Sequence, residues 1–352
     1  MDNKEQHIVN VSQEARVALR TLDVLKDNVS RTLFVINDAN RLVGSLTDGD
    51  IRRGLLNGLE ISFPIEQFMN IDFKFLRNSE DNVERIKRFR ETDINLIPLI
   101  DDEFNLIELL DLKLTRTKIP VAALIMAGGR GERLRPLTDS QPKPMLKVGS
   151  KPIIEHNIDR LITYGIKDIY ISVRYLKEQI MDYFGDGSSR GILIHYIEEV
   201  EALGTLGALS YIENADYEDI LVMNSDILTN IDFEDFFLYY KDHQATMALA
   251  SIPFKVDIPY AVLETEDHKV FSFTEKPNYT YYSNGGIYLL KLSLRKNFSK
   301  GSFFNATDMM DFVIAEEKET LVHYPLLSYW LDIGKYNDYT KAQEDIKHIS
   351  LL

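Results

Sequence analysis

Residues 121–152 read VAALIMAGGRGERLRPLTDSQPKPMLKVGSKP, a short apolar segment followed by a glycine-rich turn and a spaced series of cations. Residues 130–151 hold six Lys or Arg against two acidic residues, a local charge of +4 in a chain whose formal net charge is −15. Gly128, Gly129 and Gly131 allow the backbone to approach a ligand closely and to aim N–H groups at phosphate. We therefore predict that this loop binds a polyanion.

Two prolines in the same segment restrict the backbone around one lysine, Lys143. Pro142 and Pro144 restrict the backbone on either side of Lys143, which is useful if its ammonium must point at a ligand. A plainer alternative is a strand that ends in a glycine turn, with cations that are only solvated. The number and spacing of the cations favour the binding loop.

Two well-known phosphate loops do not match this spacing. A Walker A loop needs GxxxxGK followed by Ser or Thr, and no Lys follows Gly131 in that way. The dinucleotide pattern GxGxxG fails because Leu134 stands where the third glycine is required. Neither an ATPase of that type nor a dehydrogenase is favoured.

Composition limits the remaining classes. The chain has 352 residues, 45% hydrophobic and 27% charged, which is typical of a soluble globular protein with about two domains. A sequence pI near 5.0 argues against nucleic acid as a partner. With no Cys and no paired His spacing, a bound metal would sit on carboxylates. The polar N-terminus and the lack of a long apolar run predict a cytoplasmic protein that does not enter a membrane.

The first third of the chain repeats itself. Residues 33–50 align with residues 97–114 at an offset of 64 (100 − 36), since Ile36 matches Ile100. Each copy reads as a helix, a strand, a polar turn, and a second strand that leads into a helix. The polar segment 112–120 ends in Pro and reads as a linker. We therefore assign one domain to residues 1–118 and another to residues 119–352.

From residue 121 onward, apolar strand patterns and amphipathic helix patterns alternate. This predicts an α/β domain with a mixed, mainly parallel sheet, and ligands at the carboxyl ends of its strands. A hairpin is predicted around Asp267. The other predicted elements are strands at 121–126, 168–173, 193–197 and 219–224, and helices at 153–164, 176–184 and after Gly204.

The segment GGRGERLRPLTDSQPKPMLKVGSKPI closely resembles the signature of sugar-1-phosphate nucleotidylyltransferases, roughly GGxGTRLxPLTxxxPKPMLxVxxKPI. It departs at Glu132, where many members carry Thr. The glutamate form is similar to the branch that contains heptose and hexosamine 1-phosphate guanylyltransferases, which points to GTP. The resemblance implies a Rossmann-like nucleotidyltransferase domain whose partners are an NTP and a sugar 1-phosphate.

Such a reaction needs in-line positioning and positive charge for the phosphates more than it needs a protein nucleophile. The resemblance implies that Arg133 and Lys143 are catalytic, because Arg can bridge phosphate oxygens and Lys acts as a point charge. It also implies that the nucleotide is bound by Ala127, Gly128, Gly129, Gly131 and Gly204. For Gly204 a plain glycine turn before a helix is an equal alternative.

The resemblance implies a metal site as well. Asp226 in VMNSDIL and Asp332 in YWLDIGKY match the family's two metal-binding aspartates, with Ser225 in place of the usual Gly or Ala. Two carboxylates about 4 Å apart repel by roughly 4 kcal/mol at an effective dielectric of about 20, and a cation between them reverses that cost. The expected cofactor is Mg²⁺. A strand-end aspartate such as Asp226 can also be a simple helix cap.

The sugar phosphate would be bound by two later segments, FTEKPNY and SNGGIYLL. The family's pattern places these roles on Glu275, Lys276, Asn284 and Gly286. Without that pattern, the first segment reads as a charged surface turn. Ala261 stands where relatives commonly have glycine, so the identity of the sugar stays open.

The repeated first third resembles a pair of CBS domains, small α/β modules that often bind adenine nucleotides and often associate. In GSLTDGDIRR, Thr47 and Asp50 match the ribose-binding positions, whereas the second copy has Asp111 and Leu114. At most one nucleotide per chain is implied, and a homo-oligomer is expected. Thr47 and Asp50 equally fit a helix cap.

Two functional alternatives remain at this point. The same transfer reaction could use UTP, CTP or dTTP in place of GTP. A protein of another class, a nucleotide-sensing regulator, could bind these ligands without turnover. Retention of all five charged positions, Arg133, Lys143, Asp226, Lys276 and Asp332, favours the enzyme.

Overall fold

A computed structural model describes residues 5–25, 30–78, 82–92, 94–213, 216–316 and 319–351. The chain divides into two compact units, Met1–Lys118 and Ile119–Leu352.

The described part of unit 1 contains two three-stranded sheets and three α-helices. Its elements are β1 (Ile8–Asn10), α1 (Ala15–Val24), β2 (Thr32–Ile36), β3 (Leu42–Thr47), α2 (Asp48–Leu56), β4 (Leu76–Arg77), α3 (Val83–Arg90), β5 (Leu96–Ile100) and β6 (Leu106–Asp111). The sheets have the orders β1-β2-β3 and β4-β5-β6. In each, the first pair of strands is parallel and the second is antiparallel.

The duplication of unit 1 is present in the fold. Strands β2 and β5 begin 64 residues apart, as do β3 and β6 (96 − 32 and 106 − 42). Arg41 pairs with its counterpart Asn105, and the two sheets share an apolar cluster around Phe34 and Ile100. The predicted helix after the second copy is wrong, because β6 is followed by turns and irregular backbone.

Unit 2 alternates strands and helices as predicted. Its elements are β7 (Ala122–Ala127), β8 (Lys147–Val148), β9 (Lys151–Pro152), α4 (Ile153–Thr163), β10 (Asp168–Val173), α5 (Lys177–Phe184), β11 (Leu193–Glu198), β12 (Asp219–Asn224), β13 (Ile227–Thr229), α6 (Phe233–Asp242), β14 (Met247–Asp257), β15 (Val262–Glu266), β16 (Lys269–Thr274), β17 (Asn278–Lys291), α7 (Ala306–Ala315), β18 (Leu321–Pro325), β19 (Trp330–Asp332) and α8 (Tyr336–Asp345). The segment after Gly204 forms a short 3-10 helix, Gly207–Tyr211, and no α-helix.

The central sheet of unit 2 has seven strands in the order β11-β10-β7-β12-β17-β14-β18. Four of its pairs are parallel, and the two pairs made by β17 are antiparallel, so the prediction of a mixed, mainly parallel sheet is confirmed. Strand β7 lies between two parallel neighbours and is almost fully buried. The loops after β7, β10, β11 and β12 therefore meet at one edge of the sheet.

A projecting ribbon, here called the β arm, comprises residues 254–283. It contains the end of β14, the hairpin β15–β16 predicted around Asp267, and the start of β17. Large apolar side chains on it are exposed in cross-strand pairs, such as Phe254 with Tyr281 and Leu263 with Phe273. The arm thus carries an apolar surface that is exposed among the described residues of unit 2.

Candidate active site

The glycine turn begins directly after β7. Gly131 has φ +64°, and a Cβ there would lie 2.9 Å from the Cβ of Lys143. The Thr138 hydroxyl donates a hydrogen bond of 2.9 Å to the carbonyl of Gly131. The backbone at Gly131 is therefore in the left-handed region that favours glycine and packs directly against the lysine.

Lys143 begins a short 3-10 helix, Lys143–Met145, directly after Pro142. Its side chain is 11% exposed, and its ammonium forms a close ion pair with Asp226. The same Nζ lies 4.0 Å from Oδ1 of Asp332. One buried ammonium therefore contacts both carboxylates that the sequence predicted as metal ligands.

The two aspartates are far apart in the chain and close in the fold because strand β13 pairs with β19. In that antiparallel pair Ile227 stands opposite Asp332. Asp226, which precedes Ile227, therefore lies near Asp332. The Ile333 N–H donates to the carbonyl of Asp226 at 3.1 Å. Asp226 follows β12, which places it at the same sheet edge as the glycine turn.

The residues fit a divalent cation. Asp226 Oδ1 is buried and accepts no hydrogen bond. Burial first, and then the Asp226 carboxylate, raise the pKa of Asp332, although Lys143 and Arg133 act against this. In the described ranges, no three or more His, Asp or Glu side chains gather into a metal cluster. Two carboxylates suit Mg²⁺, which keeps several waters among its ligands.

Arg133 lies on the 3-10 helix Glu132–Leu134, just past Gly131. Its guanidinium and the Asp332 carboxylate both lie next to Gly334, since a Cβ there would be 3.5 Å from Arg133 Nη2 and 3.6 Å from Asp332 Oδ2. The structure therefore brings Arg133, Lys143, Asp226 and Asp332 together. An exposed guanidinium above a paired ammonium and two carboxylates is suited to a phosphate chain with a metal ion.

The predicted nucleotide-binding positions differ in what surrounds them. Ala127 is the buried last residue of β7, and Gly129 has open space where a Cβ would be. A Cβ on Gly204, which has φ +75°, would lie 2.7 Å from the carbonyl oxygen of Phe304. Packing within the fold is thus enough to require glycine at 204, whereas Gly129 leaves space for a ligand.

The four predicted sugar-phosphate residues are separated into two places. Gly286 lies beside β12, since a Cβ there would be 2.6 Å from Nδ2 of Asn224, and its N–H donates to Asn284 Oδ1 at 2.9 Å. Glu275 and Lys276 are exposed on the β arm, in the turn before β17. About 20 Å of extended strand separates the start of β17 from Asn284. The extended strand therefore holds this pair away from Asn284 and Gly286.

Sequence reasoning missed Glu199, which follows β11. Its carboxylate accepts a hydrogen bond from the Ser172 hydroxyl and lies against Gly128. The available signal was an acidic run, EEVE, between a strand and the Gly204 turn.

In unit 1, Thr47 caps α2, and a capping box with Asp50 is complete. The Asp50 carboxylate also pairs with Arg53 at 2.5 Å. A cavity of about 400 Å³ lies next to the cap and is lined by Thr47, Phe34, Asn70, Asp72 and other residues. The contacts of Asp50 are those of a helix cap, as the plainer interpretation of the sequence expected. Thr47 both caps the helix and lines the cavity.

Comparison with known families matches residues 122–349 to the family described as Nucleotidyl transferase. The chain belongs to the nucleotidyl transferase family. It is 33% identical over 232 residues to D-glycero-alpha-D-manno-heptose 1-phosphate guanylyltransferase of Aneurinibacillus thermoaerophilus, covering 64% of this chain and 98% of that protein.

Mannose-1-phosphate guanylyltransferase of Mycobacterium tuberculosis is 29% identical over 233 residues, covering 64% of each chain. The chain spans only 62% of the length of several other relatives of this kind. Among solved structures, HddC from Yersinia pseudotuberculosis, complexed with GMP-PN, has a TM-score of 0.50 at 25% identity. That match covers 64% of this chain and 99% of HddC. These matches agree with the nucleotidyltransferase fold predicted for unit 2.

In the part of the chain that the structure describes, every helix is too short or too polar to cross a bilayer.

Proposed function

We propose that this nucleotidyl transferase transfers a guanylyl group from GTP to a sugar 1-phosphate, giving a GDP-sugar and pyrophosphate. The observation that carries the proposal is the cluster of Lys143, Asp226 and Asp332 below the glycine turn. The relatives named above are guanylyltransferases of heptose 1-phosphate and mannose 1-phosphate, which supports GTP over UTP, CTP or dTTP.

In this reaction an oxygen of the sugar 1-phosphate attacks the α-phosphorus of GTP, the bond from that phosphorus to the bridging oxygen breaks, and pyrophosphate leaves. Arg133 and Lys143 hold the phosphate oxygens and offset the negative charge that develops on them. Asp226 and Asp332 would hold Mg²⁺, which supplies further charge neutralisation when bound. The open backbone at Gly129 admits the phosphate chain.

The sugar phosphate would lie near Asn284 and Gly286, beside Asn224. Glu275 and Lys276 complete its site if the β arm bends towards the sheet edge. The bend is part of the proposal, because the two residues are exposed in the turn between β16 and β17, within the arm.

Unit 1 is proposed to be a CBS pair that binds an adenine nucleotide in the cavity beside Thr47. The duplicated sheets, the pairing of Arg41 with Asn105 and the 400 Å³ cavity support this assignment. Removal of residues 1–118 tests it by activity with and without AMP or ATP. Identical kinetics in both proteins and both conditions would argue against regulation.

The protein is further proposed to act in the cytoplasm as a homo-oligomer. The exposed aromatic side chains of the β arm support an association through this surface.

The central test is pyrophosphate release with Mg²⁺ for five nucleotides, GTP, UTP, CTP, ATP and dTTP, each with hexose, hexosamine and heptose 1-phosphates. We expect signal with GTP and one class of sugar. Signal with another nucleotide alone would replace the GTP assignment. Silence throughout, with nucleotide still bound, would favour the regulator.

A further inference from the structure

Two side chains at the start of α5 hold the backbone of the segment that follows the glycine turn. The Tyr175 hydroxyl lies 3.1 Å from the carbonyl oxygen of Thr138 and 3.0 Å from that of Asp139, and its one hydrogen is shared between them. The Gln179 amide donates to the carbonyl of Ser140 at 2.9 Å. Three consecutive carbonyls are therefore bound from a neighbouring element, and we call Tyr175 and Gln179 the clasp.

The clasp reaches this segment because β10 and β7 are parallel neighbours. Val173, the last residue of β10, stands opposite Ala127, the last residue of β7. The chain after β10 and the glycine turn after β7 therefore leave the sheet side by side. Leu176 has φ +48°, a left-handed conformation that a leucine adopts only with strain. This strained residue joins Tyr175 to the helix whose first turn carries Gln179.

Thr138 connects the clasp to the glycine turn. This threonine is buried, and its hydroxyl donates to the carbonyl of Gly131 at 2.9 Å. A Cβ on Gly131 would lie 3.1 Å from Thr138 Cγ2 and 2.9 Å from Lys143 Cβ. The contacts therefore run from Tyr175 through Thr138 to the glycine that packs against Lys143.

The ring of Tyr175 also contacts a cation of the glycine turn. The guanidinium carbon of Arg130 lies 5.2 Å from the centroid of this ring, within the range of a cation–π contact. The Arg130 side chain is 52% exposed and lies 4.0 Å from the carboxylate of Glu132. One tyrosine therefore contacts the backbone of the segment through its hydroxyl and an exposed cation through its ring.

We propose that Tyr175 is a positioning residue, whose hydroxyl holds the glycine turn and its cations in the arrangement that receives the β- and γ-phosphates of the nucleotide. This inference rests on the proposed function, because the phosphates are those of its GTP. A segment that is already ordered loses less conformational freedom when a ligand binds, so more of the contact energy appears as affinity. In this role Tyr175 acts through Thr138 and Gly131 and not by touching a phosphate itself.

The test compares the calorimetric binding of GTP and of GMP to the whole chain, with Mg²⁺ and without sugar phosphate. GMP lacks the β- and γ-phosphates, so it does not use the part of the site that the clasp holds. Tyr175→Phe removes the hydroxyl and keeps the ring beside Arg130. The Kd of GTP is then expected to rise by about threefold to tenfold, the worth of one hydrogen bond, whereas the Kd of GMP should change by less than about twofold.

Tyr183→Phe is the matched control. Tyr183 lies on α5, and its hydroxyl donates to Glu155 of α4 at 2.6 Å. The variant removes the same chemical group at a bond to α4, so both Kd values should stay unchanged. Gln179→Ala removes the other half of the clasp from an exposed position. It should fold normally and weaken the binding of GTP, but not of GMP, in the same direction as Tyr175→Phe.

Hydrogen exchange in the protein without ligand measures the clasp directly. The amides of Leu134, Leu137 and Asp139 donate to carbonyls within the same segment. These amides should exchange faster in Tyr175→Phe than in Tyr183→Phe. Equal exchange in the two variants, or an unchanged ratio of the Kd values for GTP and GMP in Tyr175→Phe, would overturn the proposal.

The proposed function can fail separately from this inference. In an active protein, Tyr175→Phe should raise the KM for GTP and leave the KM for the sugar 1-phosphate unchanged. If no nucleotide gives pyrophosphate but Tyr175→Phe still weakens the binding of GTP, the enzyme is removed and the positioning role stays. Pyrophosphate release with an unchanged KM for GTP in this variant would keep the enzyme and remove the role of Tyr175.

Discussion

The backbone of Gly131 packs against the side chain of Lys143 so closely that a Cβ on the glycine would lie 2.9 Å from the lysine Cβ. Gly131 also has φ +64°, which other residues adopt only with strain. The turn and the buried ammonium therefore form one unit, and a change in the turn is transmitted to the charge cluster.

Gly131→Ala is expected to lower the free energy of unfolding by about 1–3 kcal/mol, because it combines a strained φ with a steric clash. It should also lower kcat, since Lys143 must move. Gly129→Ala is the matched variant, because open space surrounds the Cβ it adds. That variant should keep its stability and lose affinity for GTP. Urea denaturation and calorimetry measure both effects, and equal stability losses would contradict the distinction.

Lys143→Ala removes the ammonium that pairs with Asp226, and kcat is expected to fall by roughly 100-fold or more, as for other donors that stabilise developing charge. Steady-state pyrophosphate release measures it. Lys147→Ala changes an exposed lysine on β8, four residues further along the chain, and should leave kcat unchanged. An unchanged kcat in a folded Lys143→Ala protein would refute the catalytic role.

Asp226→Asn and Asp332→Asn are expected to weaken Mg²⁺ binding by about 10-fold or more, because each removes a charged ligand. The Mg²⁺ dependence of pyrophosphate release and direct calorimetry both report this change. Asp139→Asn alters an exposed aspartate of the glycine loop and serves as the control. If all three variants bind Mg²⁺ alike, the metal lies elsewhere.

The raised pKa of Asp332 predicts a pH dependence. Because its pKa in the folded protein is above the usual 3.8, its contribution to stability is fully present below pH 3.8 and is lost as pH rises through the raised value. Without Mg²⁺, Asp332→Asn should therefore have a higher Tm at neutral pH. That gain should shrink as the pH is lowered. If Asp332→Asn raises the Tm equally at all pH values, the gain does not come from removing the charge of the Asp332 carboxylate.

Phe271→Ser with Phe273→Ser is expected to shift the protein towards the monomer, because both side chains are 66% exposed on the β arm. Light scattering after size-exclusion chromatography measures the mass. Leu327→Ser removes an apolar side chain that is 85% exposed outside the arm and should not change the mass. An oligomer that persists in the double variant would place the interface elsewhere.

Much of the fold of unit 2 could be predicted because local patterns determine it. The apolar run before the glycine turn became β7, and the amphipathic stretch ending before Gly165 became α4. The helix predicted after the second copy of unit 1 did not form, for a local reason. Thr47 and Asp50 build a capping box at α2, whereas Asp111 and Leu114 stand at the equivalent positions and cannot.

Contacts that depend on strand order could not be predicted. The meeting of Asp226 with Asp332 follows from the pairing of β13 with β19, and only the family resemblance indicated it from sequence. Glu199 reaches Gly128 because β11, β10 and β7 are neighbours. Periodicity defines the faces of each strand but not its place in the sheet.

β7, which leads into the glycine turn, and the β arm, which carries Glu275 and Lys276, differ in rigidity. β7 has a parallel neighbour on each side, so we expect its backbone amides to exchange with solvent only on global unfolding. The β arm, exposed over most of its length, opens at much lower cost. Under the proposed function, the triphosphate is anchored at the end of β7, the buried strand. The sugar phosphate is met by the β arm, whose residues can change with little effect on folding.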